Sequence, residues 1–220
     1  MTASLMQVSP RRRRCIAGGD MECDAKIPDP AGDLRLAATR PIALVGLMGA
    51  GKTTVGRRLA TRLHLPFVDA DAEIETASGM TVSEIFERFG EAHFRDGERR
   101  VIARLVDGAP KVIATGGGAF IQPDTRALLL ECALVIWLDA DVPTLVERVR
   151  RRNTRPLLKD RDPGEVLRAL AAVRNPIYAE AHIRIGSKAS PHGDTVDAIV
   201  TALVAANRPR PAAVNPKDPS

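Results

Sequence analysis

Gly46-Leu47-Met48-Gly49-Ala50-Gly51-Lys52-Thr53 brings three glycines, a lysine and a hydroxyl into eight consecutive positions. The run matches in full the pattern of Gly, four residues, then Gly-Lys-Ser/Thr, whose chemistry is the cradling of a polyphosphate (a P-loop). Glycines let the backbone take φ > 0 and come close to a ligand, so consecutive N–H groups can turn inward on phosphate oxygens. The expected nucleotide contacts are Gly49, Ala50, Gly51, Lys52, Thr53 and Thr54. Lys52 brings a full charge to the β- and γ-phosphates, and the Thr53 hydroxyl is a ligand suited to Mg²⁺. An ordinary strand-to-helix turn rich in glycine is the bland alternative, and the full match weighs against it.

Further along lie groups suited to a second, smaller substrate. Asp69 and Asp71 close a short apolar run, the end of a strand where ligands collect in open α/β sheets. If the extended backbone continues, residues spaced by two share a side. One carboxylate could then hold Mg²⁺ through water while the other orients or deprotonates a substrate hydroxyl. Helix capping by Asp71 is the alternative. Arg95 and Glu98 are three apart, so on a helix they share a face, and a guanidinium held by a carboxylate can grip a second one through two parallel bonds. A solvated surface pair is the competing reading. Thr115-Gly116-Gly117-Gly118 follows a strand directly, where glycines in series imply either close backbone approach or a bare turn. Arg155 lies in an arginine-rich stretch with Arg150, Arg151, Arg152 and Arg161, either a loop that closes over triphosphate or a solvated basic loop. Arg174 suits anion binding or the C-terminal dipole of its helix. His64, His93, His182 and His192 show no metal-ligand spacing, and Cys15, Cys23 and Cys132 form neither a disulfide framework nor a zinc site.

The elements that must carry these groups alternate. Pro41–Val45 reads as a buried strand before the loop, and Thr54–Leu63 as a helix with Val55, Leu59 and Leu63 on one face. Leu65–Val68 is a second strand and Ala72–Ser78 a helix. Thr81-Val82-Ser83-Glu84 has the form of a capping box, Gly90 breaks that segment, and a further helix runs over Glu91–Val106. Lys111–Ala114 is the third strand, Pro123–Leu130 a helix and Ala133–Leu138 the most apolar strand. Pro143–Arg151 is helical, then comes the polar loop Arg152–Asp162. Asp162 caps a helix reaching Asn175, His182–Ile185 is a fifth strand, and Asp194–Ala206 is an amphipathic closing helix. Strands alternating with helices call for a parallel sheet covered on both faces.

Composition narrows the classes. The 220 residues, 45% hydrophobic and 27% charged, suffice for one α/β domain. No apolar run approaches the ~18 residues of a membrane span. Basic residues outnumber acidic ones 32 to 27, but aromatics at 3% provide no stacking platform for nucleic acid. The excess suits a polyanionic nucleotide with an anionic second substrate. Residues 1–40 lack any sustained apolar period and read as a disordered extension, as do residues 208–220. Residues 41–207 form the expected domain, with a substrate-binding region at about 71–106 and a lid at about 152–162.

Six stretches in order resemble shikimate kinases: Gly-Leu-Met-Gly-Ala-Gly-Lys-Thr-Thr-Val-Gly, Phe-Val-Asp-Ala-Asp, Phe-Arg-Asp-Gly-Glu, Ala-Thr-Gly-Gly-Gly, Arg-Pro-Leu-Leu and Arg-Asn-Pro-Ile-Tyr. The resemblance covers about Pro41 to Ala206. It implies a three-layer P-loop fold of the nucleoside-monophosphate-kinase type, with a five-stranded parallel sheet in the order 2-3-1-4-5. It implies that Asp71, Arg95, Gly117 and Arg174 bind shikimate, that Arg155 contacts ATP from the lid, and that Thr53 with Asp69 positions Mg²⁺. The catalytic groups it implies are Lys52, Asp71 and Arg155. The reaction would be phosphorylation of the 3-hydroxyl of shikimate by ATP, a step toward chorismate and the aromatic amino acids. A cytoplasmic monomer is expected, with no nucleic-acid or membrane partner; organelle targeting through the extension is the lesser alternative. A kinase for another hydroxy acid such as gluconate, or a nucleotide-binding module without metabolic activity, are the rival readings.

Overall fold

The computed structural model describes residues 39–150, 162–187 and 192–207. Five parallel strands form its sheet: β1 (Ile42–Val45), β2 (Phe67–Asp69), β3 (Val112–Ala114), β4 (Leu134–Asp139) and β5 (Ile183–Gly186). Their order across the sheet is β2-β3-β1-β4-β5, as the resemblance implies. Central β1 pairs Ile42 with Val112 on one side and with Leu134 on the other. All four of its residues are buried, which is why it reads as a continuous apolar run and not an alternating one.

Helices cover the sheet: α1 (Lys52–Leu63), α2 (Ala70–Ser78), α3 (Val82–Val106), α4 (Pro123–Cys132), α5 (Val142–Arg150), α6 (Pro163–Tyr178) and α7 (His192–Asn207). The face of α1 that the spacing predicts, Val55, Leu59 and Leu63, is fully buried. His64 ends it in a left-handed conformation (φ 54°), its N–H donating to Thr61 O. In α7, Val196, Ile199 and Leu203 face the core. Half-buried Cys132 packs against the core just before β4. His182 is structural, its Nδ1 accepting from Val135 N–H at 3.0 Å. Among the described residues no helix is long and apolar enough to cross a membrane.

Local chemistry fixes the ends of the elements that carry the site. Thr81 and Glu84 form the expected capping box at the start of α3, with the Thr81 N–H donating to the Glu84 carboxylate at 2.7 Å. Gly90 (φ 78°) interrupts α3, a conformation that disfavours other residues, so the segment is two helices meeting at a kink. Asp162 caps α6 through its carboxylate, ahead of Pro163 in the first turn.

Two expectations need correction. β2 ends at Asp69, whose side chain accepts from Asp71 N–H and so caps α2. The cap is therefore Asp69, and Asp71 stands in the first helical turn, where strand alternation does not set its direction. Helix α6 also runs past Asn175 to Tyr178 with Pro176 inside it, which takes Arg174 out of the last turn and away from the dipole role.

Candidate active site

The phosphate loop joins β1 to α1 at the C-terminal edge of the sheet. Gly46 has φ 136°, and a Cβ there would lie 2.7 Å from Leu138 O, so both its backbone angle and its neighbour demand glycine. Gly49 (φ 82°) and Gly51 (φ 94°) turn the chain into α1, whose first residue is Lys52. The start of that helix, with its partial positive charge, adjoins the loop. Lys52 Nζ donates to Gly46 O at 2.8 Å and to Leu47 O at 3.1 Å, which holds the ammonium against the loop it would serve. The Thr53 hydroxyl donates to Asp69 Oδ2 at 2.9 Å. This joins the end of β2 to the start of α1 and places two hard oxygen donors together. Mg²⁺ takes such oxygens and is ordinarily held by one or two protein groups plus phosphates and water, so the pair fits the ion.

The second set of residues gathers on Thr115–Gly118, at the end of β3. Thr115 N–H and hydroxyl both donate to Leu44 O, at 3.2 and 3.0 Å, which fixes this turn beside β1. None of Gly116, Gly117 and Gly118 has a positive φ; two of them supply space. A Cβ on Gly116 would lie 2.8 Å from both Asp71 Oδ1 and Glu98 Oε1. A Cβ on Gly118 would lie 2.5 Å from Arg95 Nη2. On its other side the turn meets the phosphate loop, since a Cβ on Gly117 would be 3.6 Å from Met48 N. The Gly117 carbonyl accepts from Arg174 Nη1 at 3.2 Å and from the Tyr178 hydroxyl. The predicted substrate residues Asp71, Arg95, Gly117 and Arg174 thus converge on one turn that touches the phosphate loop.

Arg95 is held from two sides. Its Nη1 donates to Glu98 Oε2 at 2.7 Å, while Nε and Nη2 donate to Glu91 Oε1 at 3.2 and 3.1 Å. A guanidinium has five N–H donors, so these three bonds leave one donor on each terminal nitrogen for a further acceptor. Phe94 lies under the guanidinium, with Cζ 5.1 Å from the ring centre. The solvated-pair reading fails on burial, because Glu98 is only 1% exposed. Burial drives the Glu98 carboxyl above its usual range, Arg95 draws it back, and Asp71 pushes it up again. Its Oε1 has no hydrogen-bond partner among the described residues. Burial also opposes the charge of Arg95, but pairing with Glu98 and Glu91 outweighs this and leaves its pKa raised.

Residues 151–161, with Arg155 and all of the predicted lid but its last position, lie outside the described residues. Two side chains that the sequence reading did not select also touch the site. Arg148 Nη1, from α5, donates to Ala50 O at 3.3 Å and to Ser187 Oγ at 3.1 Å, tying the phosphate loop to the end of β5. Tyr178 reaches the glycine turn from α6. Its signal was present in the Arg-Asn-Pro-Ile-Tyr stretch; for Arg148 the only signal was its place at the edge of a basic run.

A family model described as shikimate kinase matches residues 48–204. The shikimate kinase of Rhodopseudomonas palustris is 53% identical over 187 residues, covering 85% of this chain and 89% of its own. That of Novosphingobium aromaticivorans is 56% identical over 168 residues, 74% of this chain and 87% of its own. Among solved structures, the shikimate kinase from Acinetobacter baumannii in complex with shikimate superposes with a TM-score of 0.75 at 38% identity, covering 80% of this chain and 98% of that one. The matched span takes in Asp71, Arg95, the glycine turn and Arg174, all the groups that meet beside the phosphate loop, and the chain belongs to the shikimate kinase family.

Proposed function

We propose that the chain transfers the γ-phosphoryl group of ATP to the 3-hydroxyl of shikimate, through the residues gathered between the phosphate loop and the glycine turn. The observation that carries this reading is the convergence of Asp71, Arg95 and Arg174 on Gly116–Gly118, with Gly117 in contact with the loop at Met48. A phosphate site and a site for a hydroxylated acid then share a wall, as direct transfer requires.

Asp71 would take the proton of the attacking hydroxyl as its oxygen forms the new bond to the γ-phosphorus. The bond from that phosphorus to the bridging oxygen breaks, and ADP leaves with the electron pair. Lys52 and the loop amides stabilise charge on the phosphoryl oxygens. Arg95 and Arg174 align the substrate by its carboxylate, so that binding energy becomes orientation. Thr53 and Asp69 would hold Mg²⁺, which when bound neutralises charge on the β- and γ-phosphate oxygens.

The test is incubation of purified protein with ATP, Mg²⁺ and a panel of hydroxy acids including shikimate and gluconate, with Lys52→Ala as the control. Phosphorylation of shikimate at the 3-position, nearly lost in the control, is expected. Preference for gluconate would favour another small-acid kinase, and no acceptor at all would favour a nucleotide-binding module.

A further inference from the structure

Tyr178 ends α6 and is 1% exposed. Its ring packs against those of Phe120 and Trp137, with centroids 6.2 and 6.0 Å away. Phenylalanine would serve that packing as well, and a buried hydroxyl costs stability unless it is bonded. The hydroxyl is bonded, and to the site: it donates to the Gly117 carbonyl, which also accepts from Arg174. Arg174 and Tyr178 are four apart on α6 and so project from one face.

A carbonyl oxygen has two lone-pair directions. With Tyr178 on one, Arg174 is confined to the other, and the remaining donors of its guanidinium acquire a fixed heading. Pro176 lies between the two residues and removes an N–H from the helix ladder. The last turn of α6 therefore depends more on its tertiary anchor than an unbroken helix end would.

We propose that Tyr178 is a positioning residue for the acid substrate, holding the Gly117 carbonyl so that the glycine turn and Arg174 present a fixed geometry to the substrate carboxylate. This rests on the proposed shikimate reaction. Burial pushes the Tyr178 hydroxyl up to about 12, so it remains a donor at every ordinary assay pH.

Tyr178→Phe keeps the ring and removes only the hydroxyl. In the full-length protein, kcat/KM for shikimate should fall about 2- to 13-fold, the range for one neutral hydrogen bond. The loss should appear mainly in KM for shikimate, with KM for ATP changed less than about 2-fold on the same scale. In an Arg174→Lys background the same substitution should have a smaller effect, because the residue it aims is already altered. An active wild type with an unaffected Tyr178→Phe variant would overturn this inference alone. Parallel losses for both substrates with a lowered melting temperature, or full multiplicativity with Arg174→Lys, would reduce Tyr178 to a packing residue. A wild type inactive on shikimate would overturn the reaction as well.

Discussion

Arg95 bonds to two carboxylates of unlike kind: Glu91 is largely exposed, while Glu98 is buried. The buried one sets the guanidinium's plane, since it cannot move into water. Arg95→Lys keeps the charge but loses the planar fork. Loss of one charge-assisted bond costs about 1.5–3 kcal/mol, so kcat/KM for shikimate should drop roughly 10- to 150-fold. Affinity for ATP should barely move, and an acceptor lacking the carboxylate should lose little further activity. Equal losses with both acceptors would leave Arg95 as only a partner for Glu98. A second expectation concerns pH. Burial, partly countered by Arg95, raises the Glu98 carboxyl above 4.5. A carboxyl whose folded pKa is raised contributes stability that is full below its unfolded value and is lost as pH rises through the folded one. Glu98→Gln has nothing to ionise. Its melting temperature relative to wild type should therefore move in the variant's favour from about pH 4 to about pH 7. Melts at a series of pH values check this; a difference independent of pH would contradict it.

At the scale of elements, the kink at Gly90 lets one continuous segment serve two tasks. Before it, Ile85 packs with Ile74 and Phe94 in a small cluster of its own. After it, Arg95 and Glu98 reach the glycine turn while Ile102 and Leu105 join the main core. The first half is short and depends on its cap. Thr81→Ala removes the hydroxyl that accepts from Glu84 N–H and should cost about 1 kcal/mol, a loss of about 2–4 °C in a domain of this size. Thermal melts measure the loss. No change would show that this end of α3 is held by packing alone.

For the whole molecule, the sheet order does the assembling. β3 lies between β1 and β2, so the glycine turn that follows it meets the phosphate loop on one side and Asp71 on the other. The sequence of residues 1–38 shows no sustained apolar period. Their removal is expected to leave melting temperature and both KM values almost unchanged. A large fall in melting temperature would show that they pack on the domain.

Sequence alone determined the features that contiguous residues encode. The phosphate loop, the Thr81 capping box, the break at Gly90 and the apolar runs of β1 and β4 are each written in a few neighbouring positions, because backbone torsion and local hydrogen bonds are short-range. The choice of Asp71, Arg95, Gly117 and Arg174 came through family resemblance, and spacing alone left each with a second reading. Tertiary structure removed the solvated-pair reading of Arg95 and the helix-dipole reading of Arg174. It buried Glu98, brought Arg95 against Gly118, and set Arg174 and Tyr178 on a carbonyl 57 and 61 residues away. It also made Asp69 the cap of α2, which sets aside the alternative of capping by Asp71. Burial and close approach depend on which strands become neighbours and which helix faces then meet, and those distances exist only once the chain has folded.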